Sequence, residues 1–99
     1  MDINVQELKE KLENKESFIF IDVRELHEYT QFNLEADLIP LGNIGDAVIK
    51  YGDRKNEEVI VHCRSGARSG VARDFLIQQG FTNVRNLIGG VLAWQESLK

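Results

Sequence analysis

The chain has 99 residues, which allow one domain with a modest core and leave no room for a second. Hydrophobic content of 42% and charged content of 28% are ordinary for a globular chain, and a net charge of −4 argues against nucleic acid as the main partner. One cysteine cannot form a disulfide framework and suits a reducing compartment; with only two histidines, His27 and His62, it also makes a poor kit for structural zinc.

Asn4, followed three residues later by Glu7, reads as a helix start, an Asn variant of the capping box. Val5, Leu8 and Leu12 then share one face, predicting an amphipathic helix that covers a sheet. Phe18-Ile19-Phe20-Ile21 and Val23 are apolar on both faces, the pattern of a parallel strand with helices on either side. That strand ends at Asp22 and Arg24, at the edge where open α/β sheets bind ligands. Glu25 to Phe32 reads as a short helix with Tyr29 and Phe32 as inward anchors and His27 on the surface. Arg24 is expected to pair with Glu25 or Glu28, and Asp22 to accept backbone N–H groups. Asp22, Arg24 and Glu28 would then shape the site from behind rather than react. A brief strand at Leu38-Ile39 stops at Pro40, Leu41-Gly42-Asn43 turns, and Ile44, Ala47, Val48 and Tyr51 predict another short helix. Gly52 to Asn56 is a polar loop.

The most informative stretch runs from Val59 to Gly70. Val59-Ile60-Val61-His62 is a buried strand by its β-branched content, and Val71, Ala72, Phe75 and Leu76 begin a helix that Gly80 stops. Between them lies Cys63, heading a loop of small residues and two arginines with no carboxylate from Val59 to Arg73. A strand that turns into a helix N-terminus aims backbone N–H groups at one point, and a thiol placed there is favoured as thiolate. His62, its neighbour in the strand, points to the opposite face unless it serves as a base, and a structural role is favoured. Arg73, a turn into the helix, reads as a structural partner or a charge at the rim. Val84 to Leu87 forms the last strand, and Gly89-Gly90 turns into a final helix carrying Leu92, Trp94 and Leu98. Strands alternating with helices imply an α/β fold, a parallel sheet with helices on both faces joined by right-handed crossovers.

Cys63 to Arg68 resembles the active-site loop of the rhodanese family of sulfurtransferases. Ile21-Asp22-Val23-Arg24 with Glu28-Tyr29 resembles that family's first signature, and Gly89-Gly90-Val91-Leu92-Ala93-Trp94 its C-terminal one, so the likeness covers nearly the whole chain, 1–99. One departure is Phe32-Asn33-Leu34-Glu35-Ala36-Asp37, a residue shorter than the segment in which most rhodaneses carry Gly-His-Ile and a second small residue before the strand. It is similar to the rhodanese domains fused to adenylating enzymes of molybdopterin and thiamine sulfur transfer.

The resemblance implies a rhodanese-like sheet of roughly five strands. It also implies that Cys63 is the catalytic nucleophile, carrying sulfane sulfur as a persulfide from thiosulfate or a protein persulfide to a thiophilic acceptor. The amides of Arg64, Ser65, Gly66, Ala67, Arg68 and Ser69 would hold the sulfur, and the guanidiniums of Arg64 and Arg68 would draw in the anionic donor. No cofactor and no metal are implied. Two other readings compete. Cysteine phosphatases and arsenate reductases on this fold use a loop one residue longer, whereas here Arg68 comes five positions after Cys63 and Ser69 occupies the sixth. Non-catalytic rhodanese modules that act by interaction commonly lack the cysteine. With no apolar run of membrane-spanning length and no signal-peptide pattern at Met1 to Asn14, a cytoplasmic location without membrane contact is expected.

Overall fold

In the computed structural model, which describes residues 1–99, helix α1 spans Val5–Glu13 and begins as its sequence requires. The Asn4 side chain accepts a hydrogen bond from the Glu7 amide at 2.8 Å. The expected return bond from Glu7 is not made, because its carboxylate is taken by Arg85 from the last strand. Strand β1 (Ile19–Asp22) leads into helix α2 (Leu26–Gln31), a two-residue strand β2 (Asp37–Leu38), a turn of 3-10 helix at Leu41–Asn43 and helix α3 (Gly45–Tyr51). Strand β3 (Val59–His62), helix α4 (Ala67–Gln78), strand β4 (Val84–Asn86) and helix α5 (Gly90–Glu96) complete the chain.

The sheet is parallel, in the order β2-β1-β3-β4. It has four strands, close to the five or so expected, and one residue extends it: Ile3 bridges Leu87 in parallel beyond β4. The single bridge is clamped from both sides, with the Ile3 amide on the Asn86 carbonyl (3.0 Å) and the Ile88 amide on the Ile3 carbonyl (2.8 Å). From β1 the chain moves outward to β2, then returns across β1 to lay down β3 on its other side. The loops after β1 and β3 therefore leave in opposite directions, and the crevice between them is where such sheets bind ligands. Cys63 follows β3 and Arg24 follows β1, so both lie on that crevice.

Both faces of the sheet are covered, which is why β3 is apolar without alternation and all four of its residues are buried. Ile19, Ile21, Val59, Val61 and Cys63 pack with Ala47, Ala72, Leu76 and Phe81 on the side of α3 and α4. Ile60 packs with Ile3, Leu8 and Leu87 on the other side, under α1 and α5. Period-two alternation along β3 thus sends Cys63 to one core and His62 to the other, where its ring meets Phe20 at 5.3 Å.

Helix α5 is set hard against the end of β3. The Val91 and Leu92 amides at its start donate to the carbonyls of Cys63 and Arg64, both at 3.0 Å. This approach requires Gly90, which has φ +57°; a Cβ there would lie 2.5 Å from the Cys63 carbonyl oxygen and 2.6 Å from the Arg64 carbonyl. Gly90→Ala should cost about 1–3 kcal/mol from overpacking, with about 1–2 more for the left-handed backbone. A drop in Tm with a parallel loss of Cys63 reactivity is the expected result. Unchanged stability would mean that α5 can withdraw without cost.

Candidate active site

Gly66, at φ +104°, closes the loop and serves as the residue before α4. Its left-handed backbone turns the chain back over the thiol, so that the following amides face the sulfur. The Gly66 amide reaches Cys63 Sγ at 3.1 Å, the Ser69 amide at 3.4 Å and the Ser69 hydroxyl at 3.3 Å. Cys63 is only 1% exposed. Burial pushes its pKa up, but the Ser69 hydroxyl and the amides of Ser69, Gly66 and Ser65 outweigh it, leaving the thiol below its ordinary value. Hydrogen bonds to a charged group contribute about 1.5–3 kcal/mol each, whereas a helix N-terminus contributes about 0.3–1 kcal/mol. The directed donors therefore dominate over the dipole of α4.

The loop is braced from β4. The Asn86 side chain donates from Nδ2 to the Gly66 carbonyl (3.0 Å) and accepts at Oδ1 from the Ser69 hydroxyl (2.5 Å). Asn86 escaped the sequence reading. The only signal was an uncharged polar residue beside Arg85, between Val84 and Leu87, on a strand otherwise read from its apolar ends.

The carboxylates and guanidiniums pair differently from expectation. Arg24 does not take Glu25 or Glu28; its Nη2 lies 2.8 Å from Asp22 Oδ2, and its Nε reaches both Asp22 oxygens at 3.1 Å. Residues two apart leave a strand on the same side, which brings the two groups together. Asp22 does accept a backbone N–H, from Arg24 itself (3.0 Å). The same guanidinium donates to the Phe32 carbonyl (2.8 Å), fastening the end of α2 to β1. Glu28 is left to pair with Arg68, forty residues away, through two bonds of 2.8 and 2.9 Å. Arg68, read from sequence as a free attractor of anions, has its fork filled.

Arg64 stands apart. It is exposed and makes no ion pair, and it walls a cavity of about 190 Å³ together with Arg24, Glu28, Gln31, Phe32, Val91, Leu92 and Gln95. Cys63 is not part of its wall, although its neighbour Arg64 is. Ser65 and Ala67 are exposed and small, leaving the loop uncrowded. His62 is fully buried on the opposite face, with Nδ1 3.4 Å from the Cys63 carbonyl oxygen and Nε2 3.6 Å from Asp22. Burial lowers its pKa against the pull of Asp22, so the ring is neutral near pH 7 and turned away from the sulfur. Arg73 pairs with Asp2 (2.6 Å) and Asp74 (2.9 Å), as a structural partner.

Residues 4–97 match the model of the rhodanese-like domain. The chain belongs to the rhodanese family. A sulfurtransferase of Allochromatium vinosum is 34% identical over 94 residues, covering 94% of this chain and 86% of that protein. The thiosulfate sulfurtransferase PspE of Escherichia coli is 34% identical over 71 residues, 71% of this chain and 68% of that one. The crystal structure of a rhodanese-like domain protein from Staphylococcus aureus superposes with a TM-score of 0.83 at 32% identity, covering 95% and 91% of the two chains. Some rhodanese relatives are longer. This chain spans 50% of YrkF from Bacillus subtilis and 23% of the adenylyltransferase and sulfurtransferase MOCS3 from Arabidopsis thaliana. No helix of the chain is long and apolar enough to cross a membrane.

The Glu28–Arg68 pair has a measurable acid signature. The Arg68 fork, opposed by burial and helped by the Glu25 amide, lowers the Glu28 carboxyl from 4.5 to about 2. A depressed folded pKa stabilises the fold fully above the unfolded value and loses that contribution as pH falls toward 2. Glu28→Gln should therefore be less stable than wild type at neutral pH, by up to about 1 kcal/mol for a partly exposed pair. The difference should shrink as pH falls through 2 and vanish only below it, where the folded carboxyl is protonated too. Denaturant titrations at both ends of this range test this, and a gap that does not close would show that the pair is not its source.

Proposed function

We propose that this domain is a sulfurtransferase in which Cys63 carries sulfane sulfur as a persulfide. The observation that bears most weight is the set of donors converging on a buried sulfur: the Gly66 and Ser69 amides and the Ser69 hydroxyl, within 3.1–3.4 Å. In the proposed reaction the Cys63 thiolate attacks the outer sulfur of thiosulfate. A new S–S bond forms as the bond to the sulfonate sulfur breaks, and sulfite leaves with the electron pair. The terminal persulfide sulfur, now anionic, is held by the same donors until a thiophilic acceptor attacks it and returns the thiolate. A protein persulfide would deliver the same sulfur with a thiolate as leaving group. Thiosulfate as donor is supported by the likeness to PspE, and a reducing cytoplasm by the need to keep Cys63 free. The domain is proposed to act as one unit over residues 1–99, without cofactor.

Arg64 is the guanidinium we assign to first contact with the anionic donor, because it is unpaired and faces the cavity at the mouth of the loop. Arg68, neutralised by Glu28, is assigned to holding the loop, with a weaker pull on the donor.

Incubation with thiosulfate should add the mass of one sulfur, which cyanide removes as thiocyanate, and Cys63→Ser should gain none. If wild type gains nothing from thiosulfate or from a persulfide donor, the transferase reading falls and a binding module takes its place.

The two arginines should separate kinetically. Arg64→Ala should raise KM for thiosulfate by about tenfold, the loss of roughly 1.4 kcal/mol of attraction, with kcat little changed. It should also blunt the salt dependence that exposed charges confer over roughly 10 Å at 0.1 M. Arg68→Ala should act more on stability, since it strands Glu28. Steady-state kinetics at two ionic strengths decide between them; a larger KM effect at Arg68 would return the donor-binding role to it.

A further inference from the structure

We propose that Asn86 is a positioning residue for Cys63: its side chain decides whether the Ser69 hydroxyl proton points toward β4 or toward the sulfur. The inference rests on Cys63 being the reacting group and adds a residue that acts on it from the neighbouring strand.

The orientation of Asn86 follows from chemistry. The Gly66 carbonyl can only accept, so the amide nitrogen must face it, which leaves Oδ1 toward Ser69. The Ser69 hydroxyl has one proton and two acceptors, Asn86 Oδ1 at 2.5 Å and Cys63 Sγ at 3.3 Å. All of this is sealed, with Ser69 fully buried and Asn86 8% exposed. When the proton points to Asn86, the hydroxyl oxygen is free to accept from a protonated thiol, giving a chain from S–H to O–H to C=O. When the thiol proton has left for solvent, the hydroxyl can turn and donate to the anion. Asn86 thus favours the thiol arrangement and opposes the turn. By opposing the turn, Asn86 limits how far the hydroxyl lowers the thiol's pKa, and a thiolate's intrinsic nucleophilicity falls as that pKa falls. The second contact of Asn86 is not essential to the loop, because the Gly66 carbonyl also accepts from the Gly70 amide at 3.0 Å.

Other charges near the sulfur are accounted for. Arg68 on α4 feels the Cys63 charge and is paired with Glu28 on α2. Arg64 is exposed on the loop. Asp22 and Arg24 beyond β1 neutralise one another, and neutral His62 sits on the far face. Asp2 accepts from the Asn86 backbone amide and pairs with Arg73 on α4. None of these is altered by changing the Asn86 side chain.

The test reads the thiol directly, through the pH dependence of iodoacetamide alkylation, in a double-mutant cycle. Asn86→Leu fills similar space without offering an acceptor, and should lower the Cys63 pKa by about one unit, a roughly tenfold change in thiolate ratio. In a Ser69→Ala background the same substitution should produce no shift. An upward shift, no shift, or an equal shift in both backgrounds would overturn the proposal, the first by showing that Asn86 only braces Gly66. Should Asn86→Leu fail to fold by circular dichroism, Asn86→Asp keeps the shape with a stronger acceptor. It should raise the pKa more with Ser69 present than in Ser69→Ala, and an equal rise would reduce its effect to charge alone. Alkylation needs no sulfur donor. A wild type that takes up no sulfur would defeat the transferase reading, while the cycle would still decide the role of Asn86.

Discussion

A sulfur that is to ionise at 1% exposure has to be met by donors already in place, and most of this fold serves that constraint. The donors belong to a loop of small residues with little core of its own, so its shape is imposed from outside. Helix α5 grips the first two carbonyls, Asn86 grips the Gly66 carbonyl and the Ser69 hydroxyl, and α4 supplies the Ser69 amide. Withdraw α5 and the amides would turn to water, leaving burial alone to act on the thiol. The close approach at Gly90 is the geometric condition for all of it, because no side chain fits between α5 and the end of β3.

Charge is handled by pairing rather than by accumulation. A chain of net charge −4 repels anions at long range, and three of the four charged groups beside the crevice are committed to one another or to Asp22. Arg24 joins β1 to the end of α2, and Glu28 joins α2 to α4. The two pairs thus lock the wall of the cavity to the helix that carries the loop. Arg64 is left as the unpaired cation of the mouth. A single exposed guanidinium attracts an anion without holding it tightly, which suits the proposed transfer, in which a small anion enters and leaves.

Much of the architecture was legible in the residues. The apolar run of β3, the small residues after Cys63 and the apolar stripe of α4 are local signals, and the structure has a strand, a loop and a helix there. The helix start at Asn4 and the turn at Gly89-Gly90 were legible for the same reason, since capping and left-handed backbone are chosen within a few residues. The outermost strand was harder to read. What stands beyond β4 is one residue, Ile3, held by its neighbours' hydrogen bonds and by burial under α1, and a single residue has no periodicity to detect.

By itself the sequence determined the order of elements, the α/β class and the position of the thiol at the mouth of a strand, because these follow from hydrophobic period, turn chemistry and chain order. Only the tertiary structure decided the partners of the charged and polar side chains. Glu28 and Arg68 lie forty residues apart, and Asn86 and Ser69 seventeen; each pair meets because β3 lies between β1 and β4 in the sheet. Within reach of Arg24 the sequence offered three carboxylates, Asp22, Glu25 and Glu28. The choice fell to Asp22 because alternate residues leave a strand on one face, while α4 delivered a second guanidinium to claim Glu28. Such pairings depend on which strands are neighbours, and that is a property of the sheet rather than of any local run of residues.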